Sequence, residues 1–255
     1  MAINRHFANT HLAEMVDISE GRVLKTSYIH KFGRNPSVGG APETIWTQGG
    51  IYTYLTSPST VYVSSDNGND AAGGTGARTV TVQGLDVNYN NVEETLTVGG
   101  SASTVEFLRV FRAFVVDAGS SGTNIGDVLV STGAGGTGTV LADIGTIGIG
   151  TTFGLGQTQL SLYTIPARCT GYLTTWNVGI GSYNSSATVL LYTRAHGSGD
   201  LGFRARDIMD VPGGYHTRNY GIPLHIPAKT DIEIRAIAST GTTISSSFDL
   251  ITVRK

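Results

Sequence analysis

The run Asp66-Asn67-Gly68-Asn69-Asp70 gathers hard oxygen ligands in one short stretch, a donor set of the kind that takes calcium. Glycine, however, occupies an expected ligand position, and no glutamate follows at the spacing of a helix-loop-helix calcium site. Asn and Asp also fold back readily on their own backbone. Asp66 and Asp70 are therefore read first as turn builders, and only secondarily as metal ligands. Gly133-Ala134-Gly135-Gly136-Thr137-Gly138 satisfies the glycine pattern of a dinucleotide-binding turn and follows the strand-like Val128-Leu129-Val130. A nucleotide site also needs a helix whose first amides receive the pyrophosphate, and Thr139-Val140-Leu141 followed by Gly145, Gly148 and Gly150 is poor helix material. That run reads as a loop.

His6, His11, His30, His196, His216 and His225 show no close metal-ligand spacing, and no serine lies in a nucleophile-elbow context. Asp207 and Asp210 are the close carboxylate pair in a candidate surface loop. Sugar hydrolysis would use such a pair in a groove, but turn geometry or pairing with Arg204 and Arg206 is the simpler use. No catalytic residue is assigned, no cofactor is called for, and the expected activity is non-enzymatic. A richer collection lies between His196 and Tyr220, where Arg204, Arg206, Tyr215, His216, Arg218 and Tyr220 converge. Arg and Tyr give large contact areas with directional donors, so this stretch is read as a subunit interface, with a glycan site as the second use.

Composition bounds the partners. Net charge is −2 with no basic run, which argues against nucleic acid. No window has the apolar length of a membrane span, and Met1-Ala2-Ile3-Asn4-Arg5-His6 is not followed by a signal-peptide core, so cytoplasmic synthesis without a membrane partner is expected. The single Cys169 rules out an intrachain disulfide and reads as a small semi-buried filler. Charged residues are only 14% against 35 glycines, which points to strands and turns with little helix.

The elements that would position these residues form an all-β chain in three parts. Residues 1–54 read as an extended N-terminal docking arm, with one short amphipathic turn at Leu12, Met15 and Val16. Asn35-Pro36, Gly39-Gly40 and Gly49-Gly50 break it, while Tyr28, Ile29, Phe32, Arg34, Ile45, Trp46 and Tyr52 supply anchors for a partner surface. Residues 55–150 form a first β-sandwich, with strands expected over 60–65, 78–85, 92–98, 107–118, 127–132 and 139–144. Thr79-Val80-Thr81-Val82 has the alternation of a half-buried strand, and Phe107 to Val116, apolar on both faces apart from its arginines, is placed at a sheet centre. Residues 151–255 form a second, jelly-roll-like sandwich. There Ile165-Pro166-Ala167-Arg168 recurs as Ile226-Pro227-Ala228-Lys229, which predicts two equivalent corners. Ile232, Ile234 and Ala236 should point inward, with Glu233 and Arg235 outward.

Four stretches, His30 to Pro36, Pro42 to Trp46, Gly74 to Asp86 and Phe248 to Leu250, resemble a family of β-rich structural proteins of marine and freshwater tailed bacteriophages. The resemblance spans residues 25–255 and implies a virion component without an active site. Its implied positions are capsid decoration or cement first, then neck, collar or fibre base, with host-glycan attachment as another role. The expected partners are the major capsid protein or other virion proteins, with a homo-oligomer, a trimer by preference, and assembly in the host cytoplasm expected as well.

Overall fold

A computed structural model describes residues 10–149, 151–196 and 202–255. The chain is nearly all β, as its composition predicts. A helix, α1 (Thr10–Ser19), precedes β1 (Thr26–Val38) and β2 (Glu43–Thr44). Then come β3 (Tyr62–Ser65), β4 (Ala77–Leu85), β5 (Asn91–Thr97), β6 (Arg109–Ala118), β7 (Val128–Ser131) and β8 (Val140–Ile144). A small hairpin, β9 (Thr146–Ile149) and β10 (Thr151–Gly154), leads to β11 (Leu162–Thr164), β12 (Cys169–Ile180) and β13 (Ala187–Ala195). The chain closes with β14 (Arg204–Val211), β15 (Gly214–Ile226), β16 (Thr230–Ala238) and β17 (Thr242–Arg254). Met15 and Val16 lie half-buried on α1, whereas the Leu12 side chain falls outside the described residues.

The strands from 62 to 144 form two three-stranded sheets, β3-β7-β8 and β5-β4-β6, closed around Val63, Val80, Val82, Phe107, Val110 and Val130. Alternating valine and threonine puts the valines of β4 into this core. The expectation of a central position for 107–116 needs correction, because β4 is the middle strand and β6 lies beside it. The free edge of β6 is instead covered by a loop, with Val115 N–H donating to Gly156 O and Thr158 N–H to Ala113 O. That cover keeps the apolar strand from exposing a bare edge.

The second core lies between the sheet β1-β17-β12-β15 and the sheet β11-β16-β13-β14, to which β2 adds through β16. Trp176, Phe248, Leu250, Ile232, Ile234 and Leu191 fill it. The two corners predicted from the repeated Ile-Pro-Ala motif do correspond. Each carries the chain from one sheet to the other, and each ends on a basic residue in the left-handed region, Arg168 at φ 64° and Lys229 at φ 56°.

The arm is corrected from residue 26 onward. β1 pairs antiparallel with β17 from Thr26 opposite Val253 to Asn35 opposite Ile244, and Ile45 is fully buried in the second core. Trp46 and Tyr52 pack with Leu160 and Leu162. The apolar anchors are thus satisfied within the chain, and the alternation Tyr28, His30, Phe32, Arg34 was a strand period masked by Gly33 and Pro36. Topologically, the strands of the first core are inserted between β2 and the rest of the second core. Deleting residues 1–24 should therefore leave a soluble β fold that still unfolds cooperatively, its far-ultraviolet spectrum losing only the contribution of α1. Deleting residues 1–50 removes an edge strand and Ile45, and circular dichroism should show loss of cooperative unfolding.

Candidate functional site

The outer face of the four-stranded sheet brings together residues that lie far apart in sequence. Its register sets Phe32, Ser247, Asn177 and Thr217 in one row across the strands, and Arg34, Ser245, Gly179 and Tyr215 in the next. In the second row large side chains stand on the outer strands and small ones on the inner pair, so the face is a trough there. A groove of about 280 Å³ runs along it between Phe32 and Tyr215. Gly179 keeps the floor open, since a Cβ there would sit 2.8 Å from Ser245 Oγ. Further along, Asp249 holds His30 Nδ1 at 2.7 Å and accepts from Tyr28 Oη at 2.5 Å. Partial burial and that carboxylate push the Tyr28 phenol up to about 12.

On the other side of β1 a cleft of about 340 Å³ separates the two cores, lined by Lys31, Phe111, Arg112, Gln83, Gln157 and Thr158 among others. Lys31 is 7% exposed and donates to the Phe111 carbonyl. Burial, with Arg112 adding like-charge repulsion, brings its ammonium down to about 7.

A buried charge cluster fastens the cores together above this cleft. Asp231 on β16 is fully buried, and Arg109 on β6 reaches it through Nε at 3.0 Å and Nη2 at 3.2 Å. Arg194 donates to the same carboxylate at 2.7 Å, Thr164 at 2.7 Å, and His196 Nε2 lies 2.7 Å away. The Arg109 guanidinium also sits over the Tyr54 ring at 5.0 Å. Although burial alone would raise the Asp231 carboxyl, these hydrogen bonds and cations hold it below the ordinary carboxylate range. Beside it, Glu233 is buried against Arg235 and the Thr44 hydroxyl. The expectation that Glu233 faces water is thereby corrected: its side of the strand alternates as predicted, but the neighbouring segments cover it.

The other sequence-predicted residues divide between these places. Tyr28, Phe32, Arg34 and Tyr215 line or flank the outer face, whereas Ile29 packs under it against the second core. The segment around 204–220, expected to be a loop, forms β14 and β15 at the open edge of the sandwich, with residues 197–201 outside the described residues. Tyr220 Oη donates to Asp207 at 2.7 Å, Arg218 reaches both Asp207 and the Ile208 carbonyl, and His216 Nε2 lies 3.1 Å from Gly213 O. Two of the expected interface residues, Arg218 and Tyr220, thus join the two sheets to each other, while His216 holds the turn before its own strand. Arg204 and Arg206 lie exposed on β14, and Asp210 accepts from Thr188 at 2.7 Å. Asp70 organises its loop by accepting from the amides of Ala77, Ile125 and Gly126 and from Ser65 Oγ, while Asp66 accepts from the Asp127 amide. The glycine run at 133–138 is the connection between the paired strands β7 and β8. Sequence reasoning missed Lys31, Arg109, Asp231 and Asp249. Charged residues inside apolar runs, such as Arg109 within Phe107 to Val116, were the signal for the buried pair.

The fold and face define a two-core, all-β protein with a polar trough and an interior cleft. No protein-family model matches the chain. No curated protein matches it either. Among solved structures it is similar to a structure of infectious bursal disease virus, Gx strain, at 12% identity and a TM-score of 0.26, covering 90% of this chain and 72% of that one. A subviral particle of the VP2 protein of the same virus gives 13% identity and a TM-score of 0.22, covering 90% and 72%. Superpositions of that depth fix no shared topology.

Removing Arg109 takes away the cation from the first core and leaves the buried Asp231 to Arg194, His196 and Thr164, so Arg109→Met should cost about 3 kcal/mol of unfolding free energy, read by urea titration. Because the folded-state pKa of Asp231 lies below its unfolded value, its contribution is complete above pH of about 4 and declines as acid approaches the folded value. Asp231→Asn should accordingly flatten the acid limb of the stability profile.

Proposed function

We propose that the protein is a non-enzymatic structural component of a tailed-bacteriophage virion, placed on the head exterior as a decoration or cement protein, with the neck, collar or fibre base as the alternative position. The observation that supports this reading is where the resembling stretches lie. His30 to Pro36 and Phe248 to Leu250 are partner segments of β1 and β17, and Pro42 to Trp46 enters the same region of the fold. Most of the shared signature lies in paired strands, with Lys31 and Gln83 also lining the cleft between the cores, and a strand framework suits a protein whose product is shape. An edge device fits the same role. The Ile208 amide donates to the Asp207 side chain at 2.8 Å, and its carbonyl accepts from Arg218 at 3.4 Å, so part of the β14 edge is closed to strand addition. Neighbours would then be met through side chains on rigid faces instead of a loose strap, and repetition around a symmetric particle would multiply weak contacts.

The reading is tested by quantitative mass spectrometry of gradient-purified particles from a phage carrying this gene. Copies on the order of hundreds per particle would support the shell position, and about a dozen the tail axis. Absence from washed particles would overturn it.

A further inference from the structure

The cleft beside β1 holds a charge without a counter-charge. Arg109, the other buried cation among the described residues, is answered by Asp231. Lys31 is answered by the Phe111 carbonyl and by the Phe111 ring, 5.9 Å away, and among the described residues no residue lining its cleft is acidic. A buried ammonium with one neutral acceptor is costly unless something else completes it. Arg112, whose guanidinium donates to Gln157 Oε1 at 3.2 Å, adds a second cation at the mouth. Beside these cations the lining offers amides, a hydroxyl and rings in Gln83, Gln157, Thr158, Phe111 and Tyr163, with β1 residues completing one wall. Rings to stack on and amides to bond hydroxyls describe a sugar's surroundings, and the unmatched cation describes an acid.

We propose that this cleft binds the carboxylate of an acidic sugar, a uronic acid unit, with Lys31 as the buried anchor and Arg112 as the outer one. The inference stands apart from the virion reading, because it concerns the isolated chain. Burial, with the Arg112 charge beside it, brings the Lys31 ammonium down to about 7, and an anion next to it would restore the proton. Binding therefore takes up a proton, and affinity weakens as pH rises past neutrality. The other titratable groups facing Lys31 are Arg112 on β6, Tyr163 on β11, and Tyr28 and His30 on β1, these two already engaged by Asp249. Glu93 on β5 is bonded to the lining residue Gln83. Both tyrosines ionise well above this range, so a His30→Gln control isolates the lysine.

The test is calorimetric titration of the full chain with D-glucuronate, and with D-glucose and glutarate as the neutral sugar and the acid lacking a sugar. Glucuronate should bind, glucose should not, and glutarate should bind at least about fivefold more weakly. Lys31→Met should weaken glucuronate at least about tenfold and the exposed Arg112→Gln about threefold. If Lys31→Met does not fold, the wild-type profile decides: affinity should fall by nearly tenfold per pH unit above about 7.5, in His30→Gln as well. Equal binding of glucose, glutarate as tight as glucuronate, no glucuronate binding, or a flat pH profile would each overturn the proposal.

Discussion

One buried carboxylate governs the arrangement of this molecule. Asp231 sits on the outer surface of one sandwich sheet, where a water-facing residue would normally stand, and it is satisfied by Arg109 from the other core together with Arg194, His196 and Thr164. An ion pair so placed adds little net stability relative to apolar packing, but it penalises any arrangement that separates its members. It therefore works as a register pin. With the pin in place, Tyr54 and Tyr89 lie against the Arg109 guanidinium, and the Lys31 cleft has a fixed width.

The same constraint explains the topology. β1 and β17 come from opposite ends of the chain, yet they pair along most of their length. The first core is inserted between β2 and β11, so the second core closes only when both ends have arrived. Such long-range closure is entropically expensive, and extensive pairing together with the Asp231 cluster offsets it. Gly33 is the narrowest point of this closure, because a Cβ there would lie 2.3 Å from Ile45 O and 2.4 Å from Ser161 N. Only a residue without a side chain lets the segment holding Ile45 cross β1.

These particulars also show what the residues disclosed before the fold was known. Strands with simple alternation were legible, as in Val80 and Val82 against their threonines, and so were the corners ending at Arg168 and Lys229, because the chemistry that makes them is local. The arm was misread because Asn35-Pro36 and the glycine pairs after it look like breakers, whereas Pro36 sits where the pairing with β17 becomes irregular and β1 continues to Val38. The stretch 196–220 was taken for a loop because it is rich in charged and polar residues, whereas from 204 it forms β14 and β15, joined by a turn at Gly213 and Gly214. Asp231 and Glu233 were invisible as buried groups, since burial there depends on segments more than a hundred residues away. The same holds for Lys31, whose cleft exists only between the two cores.

If Asp231 joins the cores into one cooperative unit, differential scanning calorimetry of the intact chain tests this most directly. A single transition, with calorimetric and van't Hoff enthalpies in agreement, is the predicted result. Two resolved transitions, one for each core, would contradict it.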